Sequence, residues 1–440
     1  MGDVIHEGYG QAVPQVDTIT VADTWAAADT VVITINAKVL TLTVGTDTDT
    51  GEVALAIQEM MSGTTQTGTG DHTYSANGTT IGEFAKLTAT VLASVVTVTG
   101  PADGQTFTMS VVATTAGDGD AVEATATTGT GPNFWSLATN WSTGAVPVGA
   151  DDVFIQGSAV PLKYALDANA VTLTSLTVRA DVTGAFYIGL PDINLDSSTY
   201  PHDEYLEDQL KISATTVNIG TGTGGGIKGF RFNTGTNATT LNLYKTGTSL
   251  YANQPPLQWV GVHATNALNI NRGSIGIACR GGEAATFLTL RVGYITTLTS
   301  DATVYIGSGA THQAGGTIEQ IGGDVTSNAA IITLNQDAGT FTLGGTATAT
   351  TVNIGGTFYD QSSGTITTVK VFPGGVFDKR QDARAQTITN CSIYKGAKFY
   401  DPAGTITFTN PPQFIGCGVE DFDAGDIQLG KNISLAITAL

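Results

Sequence analysis

The Asp and Glu residues of this sequence come closest, by type and spacing, to a catalytic pattern. They cluster in the pair Asp151 and Asp152, in an acidic run at 202–208, and in a third group at 420–426. Hydrolysis of a glycosidic bond requires two carboxyl groups separated by about 5 to 9 Å across a cleft. Carboxylates that adjoin in sequence do not show that separation. We therefore predict that Asp151 and Asp152 bind the backbone of a turn and that the acidic run is a solvated loop.

The third acidic group contains candidate ligands for a calcium ion. Asp421, Asp423 and Asp426 place three carboxylates on one short segment, and Ca²⁺ is bound by oxygen ligands. Their spacing matches a cation-binding loop only in part. A second acidic stretch, at 47–52, is too short for such a loop and leads into a helical pattern, so we interpret it as a helix cap.

Other catalytic and cofactor motifs are missing from the sequence. The five histidines stand at positions 6, 72, 202, 263 and 312, without the spacing of a zinc site. There is no Gly-x-Ser-x-Gly nucleophile elbow and no Gly-x-x-x-x-Gly-Lys-Ser/Thr phosphate loop. We therefore predict no catalytic residue and no cofactor. An active site assembled from residues far apart in the sequence stays open as an alternative.

The composition favours a β-rich protein that binds neither nucleic acid nor membranes. Charged residues make up 13% of the 440 residues, 55 residues are glycine, and the net charge is −20. The 18 Lys and Arg residues are too few for a stripe that follows a nucleic-acid backbone. No apolar stretch approaches the roughly 18 residues of a membrane span. Three widely spaced cysteines favour free thiols in a reducing compartment, and the N-terminus lacks the pattern of a secretory signal.

The segment 352–407 repeats one pattern three times and predicts the architecture. Its equivalent apolar residues are Phe358, Phe377 and Phe399 in one set and Ile366, Ile388 and Ile406 in another. A period near 20 residues, built from β-branched runs and glycine turns, is typical of a β-solenoid. Each coil leaves apolar surface that only a stacked neighbour covers. We therefore expect the phenylalanines to form one vertical ladder and the isoleucines another.

The sequence divides into five predicted segments. They are an N-terminal anchoring arm at 1–16, a compact β-rich domain with one helix at 17–130, a cap at 131–155 that starts a β-helix, the β-helix at 156–410, and a C-terminal cap at 411–440. The predicted fold class is mainly β, with a small N-terminal α+β sandwich-like domain followed by a parallel β-helix or β-solenoid rod. Two segments, 188–210 and 255–263, are predicted to protrude from the rod as loops.

One helix is predicted in the N-terminal domain, at the positions that follow the acidic stretch. Asp49 or Thr50 caps its first turn, and Gly63 ends it. An apolar stripe with helical spacing is formed by Val53, Ile57, Met60 and Met61.

The predicted arm carries apolar residues that are candidates for attachment to a partner. They are Val4, Ile5, Tyr9 and Val13. A short segment punctuated by glycine and proline cannot bury a core, and such segments order when they bind a partner. We therefore predict that this arm docks on another protein.

Two segments resemble parts of known phage proteins. The stretch 25–38, together with the helical pattern at 53–61, resembles a module of structural proteins of tailed bacteriophages. The stretch 135–153 contains Trp135, Trp141 and the Asp151-Asp152 pair, and it resembles the cap of β-helical phage and bacterial surface proteins. The resemblance implies a homotrimeric protein of a phage particle, which assembles in the cytoplasm of the host bacterium and becomes part of the virion.

Within the virion, the favoured hypothesis is a non-enzymatic capsid decoration protein or head fibre. Its N-terminal region would bind the major capsid protein or another virion protein, and the β-helix would project outward. The alternative is a tail fibre or tailspike that binds, or binds and cleaves, host surface polysaccharide. A bacterial adhesin is a third possibility, which the missing export signal disfavours.

Overall fold

The structure is a computed structural model and describes residues 2–35, 38–116, 118–182, 186–189, 209–250, 254–293 and 301–430. As predicted, it is mainly β, with one long parallel sheet and a small N-terminal domain of two antiparallel sheets. No helix in these ranges is long and apolar enough to span a membrane.

The first elements in the chain include one α-helix and nine strands among the described residues. They are β1 (Asp3–His6), β2 (Val16–Ala22), β3 (Thr30–Ile35), β4 (Lys38–Thr43), α1 (Thr50–Ser62), β5 (Thr73–Tyr74), β6 (Thr88–Leu92), β7 (Val95–Thr99), β8 (Met109–Thr114) and β9 (Asp120–Thr127). Three short 3-10 helices lie at Gly78–Thr80, Gly82–Lys86 and Ala138–Asn140.

The two sheets of the N-terminal domain share one apolar core. Their strand orders are β6-β7-β2-β9 and β5-β4-β3-β8. Alternate side chains of each strand point inward, and Ile19 on β2, Ile33 on β3 and Val96 on β7 are fully buried in the same cluster. Strands β2 and β9 complete the first of the two sheets.

Helix α1 begins and ends where its sequence signals predict. The side chain of Asp49 accepts a hydrogen bond from the N–H of Gly51 at 2.8 Å. Gly63 ends the helix with φ 63°, a left-handed conformation that glycine adopts without steric cost. The helix contacts β2, β4, β6 and β7. Its buried residues are Val53, Ala54, Ala56, Ile57, Glu59, Met60 and Met61.

The remaining elements form the coiled sheet, our name for the long parallel sheet that β1 begins. They are β10 (Asp152–Ile155), β11 (Asp167–Arg179), β12 (Leu210–Thr221), β13 (Phe230–Asn233), β14 (Thr240–Leu243), β15 (Leu257–Val260), β16 (Ala267–Ile270), β17 (Gly273–Ile277), β18 (Ala285–Val292), β19 (Ala302–Ile306), β20 (Ala310–Gln320), β21 (Asp324–Ser327), β22 (Ile331–Gln336), β23 (Thr340–Gly345), β24 (Ala349–Ile354), β25 (Thr357–Ser362), β26 (Ile366–Val371), β27 (Val376–Asp378), β28 (Gln386–Tyr394), β29 (Lys398–Asp401), β30 (Ile406–Phe408), β31 (Gln413–Ile415), α2 (Val419–Asp423) and β32 (Ile427–Leu429).

The coiled sheet has two main faces, because from β12 onward strands pair with the strand two further along the chain. The first face stacks thirteen described strands: β1, β10, β11, β12, β14, β16, β18, β20, β22, β24, β26, β28 and β31. The second face stacks β13, the odd-numbered strands from β15 to β29, and β32. At roughly 4.8 Å per strand the first face is about 60 Å long. This pairing is consistent with a β-helix.

The predicted phenylalanine ladder is confirmed. Phe358, Phe377 and Phe399 occupy equivalent positions on the second face, and all three side chains are fully buried. Ring centroids lie 5.6 Å apart in the first pair and 4.5 Å apart in the second. Phe341 extends the stack by one coil, with its centroid 5.7 Å from that of Phe358.

The predicted isoleucine ladder is only partly correct. Ile366 pairs with Ile388 as expected, but Ile406 pairs with Gln386, and Phe408 takes the position opposite Ile388. The third repeat is therefore shifted by two residues on this strand. Because side chains alternate with a period of two along a strand, a shift of two keeps Ile406 on the buried face.

The prediction of a free N-terminal arm at 1–16 is wrong. Residues Asp3–His6 form β1, which pairs in parallel with β10 at the end of the coiled sheet. Val13 then pairs with Thr130, which follows the N-terminal domain in the chain. The segment is therefore paired with the coiled sheet at one end and with the residues that leave the N-terminal domain at the other. Burial of Val4 against the next coil supplies the apolar contact that a free arm would lack.

Two further segments differ from the sequence-based expectation. The predicted loop at 255–263 contains strand β15, whose Trp259 is only 1% exposed. Gly261 and the indole nitrogen of Trp259 both lie against Thr234 of the preceding coil. Toward the C-terminus, β31 and β32 continue the coiled sheet to Leu429, so parallel pairing extends into the segment predicted as a cap. The predicted loop at 188–210 lies mostly outside the described residues.

Candidate functional site

The carboxylates near the start of the coiled sheet have structural partners. Asp151 accepts a hydrogen bond from the N–H of Val148 at 2.9 Å, which is the turn-binding role predicted for it. Asp152 instead accepts one from the hydroxyl of Ser175 on the next coil at 2.5 Å. The acidic run at 202–208 lies outside the described residues.

The two candidate calcium ligands whose side chains are described, Asp421 and Asp426, bind other groups of the protein. Asp421 accepts a hydrogen bond from the N–H of Gly418 at 2.8 Å and caps helix α2. Asp426 lies 3.4 Å from the ammonium group of Lys398, and the side chain of Asp423 lies outside the described part of the chain. Within the described ranges no group of three or more His, Cys, Asp or Glu side chains is arranged to hold a metal ion.

The three cysteines are free, as predicted. Burial raises the pKa of the Cys391 thiol to about 12 and that of Cys279 to about 11. Burial also raises the pKa of Cys417. Because the thiolate is the nucleophilic form, these cysteines are poor nucleophiles at neutral pH.

The four predicted attachment residues have very different environments. Val4 is 3% exposed and belongs to the core of the coiled sheet, so it is not available to a partner. Ile5 is half-buried. Tyr9 is 79% exposed and Val13 is 37% exposed. Of the predicted set, Tyr9 presents the largest accessible side chain.

Hydrogen bonds of Asn140 join the N-terminal segment to the cap of the coiled sheet. Its fully buried side chain accepts a hydrogen bond from the N–H of Gly10 at 2.7 Å. The same amide donates to the carbonyl oxygens of Gly131 at 3.0 Å and Phe134 at 2.8 Å. Its backbone oxygen accepts from the N–H of Glu7 at 2.7 Å. One side chain therefore joins the segments that lead into and out of the N-terminal domain.

The two cap tryptophans pack against each other at the same end. Trp135 and Trp141 are edge to face, with centroids 4.8 Å apart, and the indole N–H of Trp141 donates to the carbonyl oxygen of Trp135 at 2.8 Å. Both are buried in the core of the coiled sheet. His6 of β1 packs edge to face on Trp141 at 5.3 Å. The predicted capping role of this pair is therefore supported by its position beside the terminal strand.

The outer side of the first N-terminal sheet is the most unusual exposed surface among the described residues. We call it the uncharged face. Cross-strand pairing arranges its twelve side chains in three rows. The rows are Leu92, Val95, Thr20 and Val122; then Thr90, Thr97, Thr18 and Ala124; then Thr88, Thr99, Val16 and Thr127. None of these twelve residues is charged, although the protein carries a net charge of −20. The next row on the same side pairs Ala22 with Asp120, an exposed carboxylate at the edge of the face.

Two side chains of the uncharged face are strongly exposed. Leu92 is 83% exposed and Val122 is 54% exposed, at opposite ends of one row. The central parts of protein interfaces are depleted of charged residues, and exposed apolar patches mark sites of interaction. The face is therefore suited to contact with another protein.

The strands of the uncharged face have a sequence signal. Threonine or valine alternates with buried residues in 16–22 and again in 88–99, and this alternation predicts strands with one buried side. The sequence does not show that both strands belong to one sheet, so the continuous surface becomes visible only in the structure.

Comparison of the chain with protein-family models, with curated proteins and with solved structures returns no match.

Proposed function

We propose that this protein is a non-enzymatic structural protein of a tailed-bacteriophage particle, a capsid decoration protein or head fibre. The observation that carries the proposal is the placement of the uncharged face. It lies on the domain that the chain forms between β1, the terminal strand of the coiled sheet, and the cap. A domain that carries a binding face at one end of a long β-helical rod would attach the protein to a particle at that end. The rod would then project outward.

The uncharged face is the proposed attachment surface, in place of a free N-terminal arm. Its partner is the major capsid protein or another virion protein. Burial of the three rows of the uncharged face requires no desolvation of charge as long as Asp120 at their edge stays in solvent, whereas burial of unpaired charges would be costly. Tyr9 follows β1 and is highly exposed, so it is proposed as an additional contact.

The proposed assembly is a homotrimer located in the virion and formed in the host bacterial cytoplasm. Exposed apolar side chains on the coiled sheet, including Val262, Tyr305 and Phe372, would be covered by packing of three rods. Light scattering of the purified protein should give three times the chain mass of 45.1 kDa. A monomer at micromolar concentration would contradict the trimer without affecting the attachment proposal.

Incorporation into particles tests the attachment. Particles should be assembled in host cells that supply either the natural protein or the double variant Leu92→Asp/Val122→Asp. The variant should remain folded, because both side chains are exposed, but it should be lost from purified particles. Val112→Asp is the matched control, since Val112 is 57% exposed and lies on the other N-terminal sheet, outside the uncharged face. Normal incorporation of the double variant would overturn the uncharged face as the attachment surface.

Imaging of labelled particles separates head from tail. A label on the C-terminal coils should lie on the capsid and point away from it. A label at the tail tip would favour the alternative, a tail fibre or tailspike that binds or cleaves host polysaccharide. Release of reducing ends from host polysaccharide by the purified protein would contradict the non-enzymatic part of the proposal.

A further inference from the structure

A polar groove lies at one corner of the coiled sheet, far along the chain from the uncharged face. It has a volume of about 470 Å³ and is lined by residues that follow β14, by Arg272 and the start of β17, and by Asp301 just before β19. Its polar lining includes Lys245, Thr246, Thr248, Arg272, Ser274 and Asp301. A volume of this size is within the range of about 300 to 1,000 Å³ typical of small-molecule sites.

Positive charge is concentrated at this groove in a protein with few cations. Lys245 and Arg272 line it, and the stem of Lys228 passes beside its wall, since a Cβ built on Gly247 would lie 2.9 Å from Lys228 Cγ. The chain has 18 Lys and Arg against 38 Asp and Glu. Two cations and one carboxylate line the groove, so the charge at this corner is opposite in sign to the net charge of the molecule.

The cations of the groove are not neutralised by strong ion pairs. Arg272 lies 3.8 Å from Asp301, and both side chains are at least half exposed. The ammonium group of Lys245 donates to the carbonyl oxygen of Gly224 at 2.5 Å, which leaves its other two N–H donors for a ligand. Within the described residues neither Lys228 nor Lys245 is paired with a carboxylate. The groove therefore keeps positive charge available to an anion.

A close approach of two coils shapes the floor of the groove. Gly273 has φ +90°, and a Cβ at this position would lie 2.6 Å from the backbone nitrogen of Thr246. The N–H of Ser274 donates to the hydroxyl of Thr246 at 2.9 Å. Glycine thus allows the turns of adjacent coils to touch, and it brings the hydroxyl groups of Thr246 and Ser274 beside Arg272.

We propose that this groove binds a sugar ring that carries a carboxylate or a phosphate group. Arg272 and Lys245 would bind the acidic group through charge-assisted hydrogen bonds. The hydroxyls of Thr248 and Ser274 would bind the ring hydroxyls. The proposal does not depend on where the protein sits in a particle, and it assigns a ligand to a surface distant from the attachment face.

Calorimetric titration of the full-length protein at low ionic strength tests the proposal. The probes are glucuronate, glucose 6-phosphate, neutral glucose and inorganic phosphate. Both acidic sugars should bind, and neutral glucose should bind about tenfold more weakly or not at all, because loss of a charged hydrogen bond costs at least that factor. Binding should weaken as salt is added. Inorganic phosphate binding as tightly as glucose 6-phosphate would overturn the assignment of a sugar.

Variants locate the site and provide the control. Lys245→Gln and Arg272→Gln should each weaken binding of the acidic sugars about tenfold or more, with unchanged circular dichroism because both side chains are exposed. Lys370→Gln is the matched control on the first face, remote in sequence from the groove, and it should bind like the natural protein. Failure of both acidic sugars to bind, or binding that survives both groove substitutions, would overturn the proposal.

Discussion

Lys379 and Asp360 form an ion pair inside the coiled sheet, with Nζ 3.5 Å from Oδ2 and neither side chain exposed to solvent. Lys379 also lies 3.4 Å from Asp382 and donates to the carbonyl oxygen of Ser362 at 3.3 Å. Burial raises the pKa of Asp360 to about 6, and the attraction of Lys379 opposes that shift. The pair links two adjacent coils inside the coiled sheet, where Ser362, Asp378 and Asp401 are also buried.

Replacing Lys379 alone should be strongly destabilising. Lys379→Met leaves Asp360 as an uncompensated buried carboxylate and should lower the free energy of unfolding by about 3 to 5 kcal/mol. The double variant Asp360→Leu/Lys379→Met should recover most of that loss, because it removes both charges. Urea midpoints of the natural protein, the two single variants and the double variant measure the coupling. A loss of stability in the double variant equal to the sum of the two single losses would show that the pair is not coupled.

Substitutions of Phe377 in the phenylalanine ladder should separate the loss of stability caused by a buried charge from the loss caused by a cavity. Phe377 lies between Phe358 and Phe399 and is fully buried. Phe377→Ala should cost about 3 to 5 kcal/mol through the cavity it leaves. Phe377→Asp should cost more, because it also buries a carboxylate without a partner. Phe377→Leu is the control and should be the mildest of the three, as measured by thermal unfolding.

Removal of the Asn140 side chain should loosen the N-terminal segment selectively. Asn140→Ala removes the partner of the Gly10 N–H and of the Phe134 carbonyl oxygen, at a cost of about 2 kcal/mol or more. The carbonyl oxygen of Gly131 keeps the N–H of Phe134 as a donor. Amide hydrogen exchange should accelerate at residues 3–13 and 131–135, while the coils beyond 300 should stay protected. Asn353→Ala provides the control, since its hydrogen bond to Asn335 is on a partly exposed surface. Uniform acceleration throughout the chain would contradict the local role of Asn140.

Two buried histidines should make the protein sensitive to acid. Burial lowers the pKa of His6 and of His312 from 6.5 to about 4. The unfolded chain therefore binds more protons than the folded chain between these values, and stability is lost as the pH falls from 6.5 to 4. Each histidine contributes at most about 3 kcal/mol to this loss. Asp360 acts in the opposite direction between pH 3.8 and about 6, because its pKa is raised.

The variant His312→Phe tests this pH dependence. The ring of His312 stacks on Phe287 at a centroid distance of 4.9 Å, so phenylalanine fills a similar space. The variant loses the hydrogen bond from the N–H of Ile332 to Nδ1 and should be less stable at pH 7. Its urea midpoint should nevertheless fall less steeply between pH 6.5 and 4. A slope equal to that of the natural protein would show that His312 does not contribute to acid sensitivity.

The sequence by itself determined the local features of this protein. The step between Phe358, Phe377 and Phe399 predicts a stacked β architecture, because residues one coil apart must share an environment. Asp49 and Gly63 bound the helix, since capping and left-handed glycine depend on residues close in sequence. The structure confirms these features, because the interactions that produce them lie within one helix or between neighbouring coils.

Only the tertiary structure decided which distant segments meet. The pairing of β1 with β10 joins residues separated by the whole N-terminal domain, and no local pattern distinguishes such a strand from a free arm. The uncharged face likewise requires β2 and β9, which are about 100 residues apart in sequence, to become neighbours. Burial of Lys379 depends on coils on both sides of it. In these cases strand partners and burial are set by packing between segments far apart in the sequence, which a local pattern of residue types does not show.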